Sequence, residues 1–128
     1  MKAFEAALIL RLRGALGTNA VYGGKRAPQG TTGNYILVWE LASKRLYSHD
    51  GKAPVVAARY NIDCYVKKPE DGKTWLALIE ASIADFSGML GTVLVSGIFL
   101  EDTLDDDFRS DIEYHVLTAD YLAQYYQT

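Results

Sequence analysis

The stretch RYNIDCYVK, residues 59–67, decides the fold prediction, because its side chains alternate in character. One set is apolar (Tyr60, Ile62, Cys64 and Val66), and the other set consists of Arg59, Asn61, Asp63 and Tyr65. Successive side chains of a β-strand point to opposite faces, so this pattern predicts a strand within a sheet. We expect the apolar face to pack on helices, and the face that carries Asn61 and Asp63 to point outward, toward a partner.

The preceding segment predicts the other arm of a β-hairpin. YILVWELASKRLYSH begins apolar on both faces and becomes polar toward its end, and SHDGKAP contains Asp-Gly, a strong hairpin signal. The side chains near the predicted tip are polar: Lys44, Arg45, His49 and Asp50. Because an isolated two-stranded ribbon is only marginally stable in water, we predict that this tip projects and contacts a neighbouring molecule.

Apolar periodicity predicts two helices. A stripe of apolar residues, Phe4, Leu8 and Leu12, indicates a helix over residues 3–16. From Trp75, apolar residues recur at spacings of three and four, which predicts a second helix ending near Gly88 or Gly91. Residues 21–34 are rich in Gly, Thr and Pro, so we expect a loop there with at most a short strand at its start.

The C-terminal third predicts two strands joined by an acidic loop. TVLVSGIFLED is typical of a strand with a bulge at Gly97, and DTLDDDFRSD is typical of a loop. IEYHVLTADYLAQYY is predicted as the last strand. Apolar side chains occupy every second position of this segment, but these positions shift by one residue partway along it. A bulge near Leu117 or Thr118 would return all the apolar side chains to one face.

The element order α-β-β-α-β-β predicts an α+β fold in a single domain over residues 1–128, an antiparallel sheet of four to five strands with two helices packed on one face. Hydrophobic residues make up 49% and charged residues 23%, as in ordinary soluble proteins, and the net charge of −3 gives no basic field for nucleic acid. No run approaches the roughly 18 apolar residues of a membrane span. Glu5, Arg11 and Arg13 interrupt the N-terminal apolar run, so we expect no export signal.

The motifs favour no catalysis and predict no cofactor or metal. DGKT, residues 71–74, matches the end of a phosphate-binding loop, but Lys67 stands where the motif requires glycine, so a helix start is the better interpretation. Cys64 is the single cysteine, and Asp63 beside it points to the opposite face. His115 lies on another strand and can approach Cys64, which leaves a small ligand-binding or Cys-dependent hydrolytic domain as an alternative.

A run of carboxylates occupies the predicted acidic loop: Glu101, Asp102, Asp105, Asp106, Asp107 and Asp111. Carboxylates are calcium ligands, but the run lacks the order, the glycine and the closing glutamate of an EF-hand. Three interpretations are open: a solvated loop, a metal site, or a wall that faces DNA or a basic partner. Asp105, Asp106 and Asp107 are the main candidates for the third.

Taken in order, several segments resemble the small tail-completion proteins, or tail terminators, of long-tailed phages and prophages. These segments are VYGGKRAPQGT, YILVWEL, HDGKAPVVAARYNIDCYVK, IADFSGMLGTVLVSGIFLED and EYHVLTADYLAQYY. The succession covers nearly the whole chain. The sequence departs from the family at Gly33-Asn34-Tyr35, where proline often precedes the aromatic residue, and in a slightly longer final strand.

The resemblance implies a structural virion protein rather than an enzyme, assembled in the host cytoplasm and located in the tail or neck. Such proteins form a homo-oligomeric ring, typically a hexamer, that caps the tail tube and joins it to the head–tail connector or stopper, with DNA passing through the lumen. Under this interpretation Asn61 and Asp63 face a neighbouring subunit or the lumen, where acidic groups suit DNA passage because they repel its backbone. Another phage neck or connector adaptor is the nearest alternative. Neither needs a membrane or a cofactor.

Overall fold

The computed structural model describes residues 2–46, 55–110 and 112–126, which build one six-stranded sheet and two helices. The helices are α1 (Ala3–Leu16) and α2 (Pro69–Ile83). The strands are β1 (Val21–Gly23), β2 (Tyr35–Leu46), β3 (Val55–Val66), β4 (Gly88–Leu90), β5 (Val93–Arg109) and β6 (Tyr114–Tyr126). Across the sheet the strand order is β1-β2-β3-β6-β5-β4.

The α+β class is confirmed, but the sheet is larger than the predicted four to five strands and it is mixed. β1 pairs with β2 in parallel, with Val21 opposite Ile36, while the other neighbouring strands are antiparallel. β1 and β4 are only three residues long. Strands this short contain too few side chains to produce a readable alternating pattern, and this explains the smaller predicted number.

Both helices pack on one face of the sheet, which we call the inner face. The predicted stripe of α1 (Phe4, Leu8 and Leu12) is buried there, together with Ile79 and Ile83 of α2. The apolar set of β3 lies beneath them, as its alternation predicted: Tyr60, Ile62, Cys64 and Val66. Burying each large aliphatic side chain contributes about 1.5–3 kcal/mol, so this layer dominates the stability of the fold.

Helix α2 begins and ends differently from the simple periodic pattern. Pro69 stands in its first turn, where the missing N–H is not needed. The helix ends at Ile83, earlier than the predicted Gly88 or Gly91. Asp85 adopts a left-handed φ of 60° and its N–H donates to the Ile98 carbonyl at 2.7 Å. This contact directs the chain toward β5 and ends the helix, although apolar residues at helical spacing continue beyond Ile83.

The acidic segment is a strand and not the predicted loop. β5 continues to Arg109, which lies opposite Tyr114 of β6. Aspartate is depleted in strands, so the local pattern favoured a loop, but pairing with the long β6 dominates. Register shifts interrupt β5 between Val95 and Gly97, Leu100 and Asp102, and Leu104 and Asp107. The first of these confirms the bulge predicted at Gly97.

The bulge predicted near Leu117 or Thr118 is wrong. β6 pairs with β3 without a register shift from His115 to Tyr126. The apolar positions shift by one residue because the two parts of the strand are buried on opposite faces of the sheet. Leu117 and the alternate residues after it join the inner core, whereas Tyr114 and Val116 are buried on the outer face.

Candidate interaction surfaces

Two segments at opposite edges of the sheet expose side chains on both faces. β1 pairs only with residues 36–38 of β2, so residues 41–46 lie at the sheet edge, with every side chain exposed. β4 pairs only with residues 93–95 of β5, so residues 101–109 lie at the other edge, and each of their described side chains is exposed. We call residues 41–46 the basic edge and residues 101–109 the acidic edge.

The basic edge contains two of the predicted interface residues, Lys44 and Arg45. They lie opposite Ala57 and Val56 of β3, and both are exposed. Nearby, Lys2 Nζ lies 2.9 Å from a Glu40 carboxylate oxygen, so these two charges largely neutralise each other. The uncompensated positive charge at this edge therefore belongs to Lys44 and Arg45. His49 and Asp50, also predicted as interface residues, lie outside the described residues.

A groove of about 390 Å³ lies on the inner side of the basic edge, next to the start of α1. Arg45 and Ser43 line it on one side, and Phe4, Val56 and Tyr125 provide apolar surface. Within the part of the chain that the structure describes, this groove contains no paired carboxylates or histidine among its lining residues. Its basic and apolar side chains make it a candidate contact surface.

The acidic edge exposes Asp107, whose carboxylate lies 3.6 Å from Arg109 Nε, and two large apolar side chains, Leu104 and Phe108. The backbone of Asp105 and Asp106 belongs to β5, while their side chains, and Asp111, lie outside what the structure describes. Among the described residues, no group of three or more His, Cys, Asp or Glu side chains is placed to hold a metal ion. The metal interpretation of this run therefore gains no support.

Asn61 and Asp63 lie on the outer face, as predicted, but within a hydrogen-bonded cluster. The Asp63 carboxylate accepts from Trp39 Nε1 at 3.0 Å, from Thr118 Oγ1 at 2.7 Å and from the Asn61 amide. Asn61 is buried and Asp63 is half-buried. The cluster was not predicted, because a turn at Asp50-Gly51 implies a register with Trp39 opposite Ile62, and the register shift between Glu40 and Ala42 is what brings Trp39 opposite Asn61. A role for this pair in an interface remains a proposal.

Asp120 extends this outer-face cluster. Burial raises the pKa of its carboxyl group, Arg59 opposes the shift, and the charges of Asp102 and Asp63 add to it. Its Oδ1 is buried and accepts no hydrogen bond from the described residues. Asp102 lies directly opposite Asp120 on the neighbouring strand. Burial and the neighbouring negative charges therefore disfavour the ionised form of the Asp120 carboxyl group relative to that of an isolated aspartate.

Three tyrosines form a second outer-face cluster. Tyr35 and Tyr65 stack with ring centroids 4.7 Å apart, and Tyr114 meets Tyr35 edge-on at 5.3 Å. Burial raises the pKa of Tyr35 to about 12. The Tyr114 hydroxyl donates to the Gly33 carbonyl at 2.8 Å, and Lys67 Nζ lies 3.8 Å from the Tyr114 ring centroid. These contacts fix the long loop before β2 against the sheet.

The geometry around Cys64 disfavours it as a nucleophile. Cys64 is completely buried in the inner core, and burial raises the pKa of its thiol well above the ordinary value. A reactive cysteine needs a thiolate and access to substrate, and this site has neither. His115 instead packs against Phe108, with ring centroids 4.7 Å apart. The DGKT segment lies inside α2, as the helix-start interpretation predicted.

Comparison with known proteins identifies a similar fold. No protein-family model and no curated protein sequence matches this chain. Among solved structures, it is similar to a chain in the "Virion of native gene transfer agent (GTA) particle", with a TM-score of 0.68 and 15% sequence identity. The match covers 95% of this chain and 93% of that chain. At this identity the similarity concerns the fold. Neither described helix is long and apolar enough to cross a membrane.

Proposed function

We propose that this chain is a structural protein of a phage-like virion, and specifically a tail terminator. The observation that carries this proposal is the similarity to a chain of a gene transfer agent virion, which extends over nearly the full length of both chains. The sequence resemblance to tail-completion proteins gives independent support in the same direction.

In this role the chain forms a ring, a hexamer in the form we propose, at the end of the tail tube. One side of the ring binds the tail tube protein and the other binds the head–tail connector or stopper. The two exposed edges of the sheet support such an assembly, because a contact between two different surfaces of one chain repeats from copy to copy and can close into a ring.

DNA passes through the lumen of this ring without specific binding. The net charge of −3 supports this part of the proposal, since a channel that held phosphate groups would hinder passage. Asp105, Asp106 and Asp107 are proposed to face either the lumen or a partner, and Asn61 and Asp63 to lie near a subunit contact. His49 and Asp50 belong to the proposed contact at the hairpin tip.

A second candidate is another adaptor of the neck or connector. The same structural similarity favours it, because a virion contains several small structural proteins and the match does not give the position within the particle. The ligand-binding or Cys-dependent hydrolytic alternative is weaker, since Cys64 is buried with a raised thiol pKa. The two structural roles differ in the binding partner, so binding experiments separate them.

The test uses purified, gold-labelled chain and two binding targets from a phage-like particle of the same source: tail tubes that lack the chain, and DNA-filled heads. Electron microscopy after mixing locates the label. A terminator labels one end of the tail tubes and completes them for joining to heads. Label on the portal vertex of heads, with bare tube ends, would instead assign the adaptor role. Label on neither target would contradict both structural proposals.

A further inference from the structure

The basic and acidic edges both lack a second strand neighbour among the described residues. Residues 41–46 pair only with β3, and residues 101–109 pair only with β6. An edge strand presents a row of unpaired backbone N–H and C=O groups that can template a further strand. Leu46 and Leu104 on these edges are also exposed, at 40% and 63%. Both edges therefore have backbone and apolar surface available for pairing.

The charges on the two edges are complementary. The basic edge contains Lys44 and Arg45 and no acidic residue, whereas residues 101–113 contain seven carboxylates and one arginine. Like charges opposite each other destabilise a strand pair, and opposite charges stabilise it. The pairing of two acidic edges or of two basic edges is thus disfavoured, while the mixed pairing is favoured. This is how charge selects one partner and excludes others.

We propose that the basic edge of one copy pairs with the acidic edge of a second copy, so that the sheet continues from one chain to the next. β2 runs antiparallel to β3, β3 to β6, and β6 to β5, so β2 and β5 run in opposite directions. A continuous sheet therefore makes this new pair antiparallel, the commoner arrangement.

The position of the edges also fits a closed assembly. The basic edge lies toward the β2–β3 turn, and the acidic edge lies toward the opposite end of the sheet, where Arg109 faces Tyr114. Pairing them shifts each copy along the strand direction relative to its neighbour. A sheet that closes on itself needs such a stagger, because its strands must tilt around the axis. Closure into a ring rests on the proposed function, but the pairwise contact does not.

Charge reversal in the full chain tests the contact. The variant Lys44→Glu with Arg45→Glu and the variant Asp102→Lys with Asp107→Lys should each lose self-association, with a dissociation constant raised about tenfold or more. Mixing the two variants should give one-to-one dimers, because one intact edge remains on each. Combining all four substitutions in one chain should not restore self-association, because residues 101–113 then still contain five carboxylates against three basic residues and face two new glutamates. The matched control, Lys68→Glu with Lys73→Glu, changes the charge equally at exposed positions at the start of α2 and should assemble normally.

Cysteine cross-linking separates strand pairing from mere charge attraction. In a Cys64→Ala background, copies with Lys44→Cys are mixed with copies that have one cysteine on the acidic edge. Lys44 and Leu104 belong to the outer face, whereas Arg45 and Thr103 belong to the inner face. Lys44→Cys should therefore form mixed disulfides with Leu104→Cys or Asp107→Cys, and Arg45→Cys with Thr103→Cys or Phe108→Cys. Cross-linking that is equally efficient between an inner-face and an outer-face cysteine would overturn strand pairing.

Sedimentation of the unmodified chain and of the variants keeps the two proposals apart. A monomeric wild-type chain at every accessible concentration, or wild-type-like assembly of both reversal variants, would overturn the edge contact. If the wild type forms hexamers that ignore these substitutions, the ring survives and this contact does not. If the substitutions act as predicted but the chain forms open filaments and binds no tail tube, the contact stands and the terminator role fails.

Discussion

Trp39 and Asp63 are joined across β2 and β3 by a hydrogen bond of 3.0 Å between the indole Nε1 and the carboxylate. Asp63→Ala removes this acceptor and those of Asn61 and Thr118, leaving partly buried donors unpaired. We expect the free energy of unfolding to fall by about 1–3 kcal/mol in urea titrations. Glu101→Ala, at an exposed carboxylate, is the control and should stay within about 0.5 kcal/mol. Equal effects for both variants would show that the Asp63 cluster is not structural.

The close approach of α2 to the sheet gives a second prediction. A Cβ at Gly72 would lie 2.6 Å from Leu117 Cδ1, whereas a Cβ at Gly14 in α1 meets nothing within 4 Å. Gly72→Ala should therefore destabilise the fold by about 1–3 kcal/mol through overpacking. Gly14→Ala should stabilise it by about 0.5–1 kcal/mol, because alanine is the better helix former. Thermal melts of both variants provide the comparison, and a stabilising Gly72→Ala would refute the tight packing.

Burial makes Cys64 inert. We expect native protein to react with a thiol reagent far more slowly than urea-unfolded protein, because the raised pKa keeps the thiol protonated and the core excludes the reagent. Cys64→Ala should cost roughly 1 kcal/mol in stability and leave assembly unchanged. Labelling of the folded chain at the rate of the unfolded chain, or loss of assembly in this variant, would contradict the structural role.

Asp120 predicts a pH dependence with a definite sign. Its pKa in the folded chain is raised, chiefly by burial, so the folded state binds this proton more tightly than the unfolded state. The resulting stabilisation is complete below the ordinary pKa and is lost as pH rises through the raised value. Asp120→Asn removes this loss, and its stability relative to wild type should grow as pH rises from the ordinary Asp pKa of about 3.9 through the raised value in the folded chain. A difference that stays constant or shrinks would assign the dependence to other groups.

The alternation in residues 59–67 was enough to predict β3 and its buried face, because a period of two has one simple structural solution. The spacing of Phe4, Leu8 and Leu12 predicted α1 with its observed bounds, because this spacing places the three side chains on one face of a helix. By contrast, the extension of β5 through Asp105–Asp107 was missed. It depends on pairing with β6, which local propensity does not contain.

The candidate surfaces were predicted unevenly. Lys44 and Arg45 are exposed as expected of a polar hairpin end, because this requires only the pattern of one strand. The contacts of Asp63 with Trp39 and Thr118 required the positions of three strands in one sheet. The complementarity of the two edges needed the strand order, in which β2 and β5 lie on opposite sides of the central pair.

The central claim is that the chain assembles into a ring that caps a tail tube. Native mass spectrometry of the purified wild-type chain, with negative-stain imaging of the same sample, tests it most directly. The account predicts a discrete species of six chains that appears as a closed ring with an open lumen, and that attaches to one end of tail tubes. A strictly monomeric chain, or an assembly without a lumen that leaves tube ends bare, would contradict it.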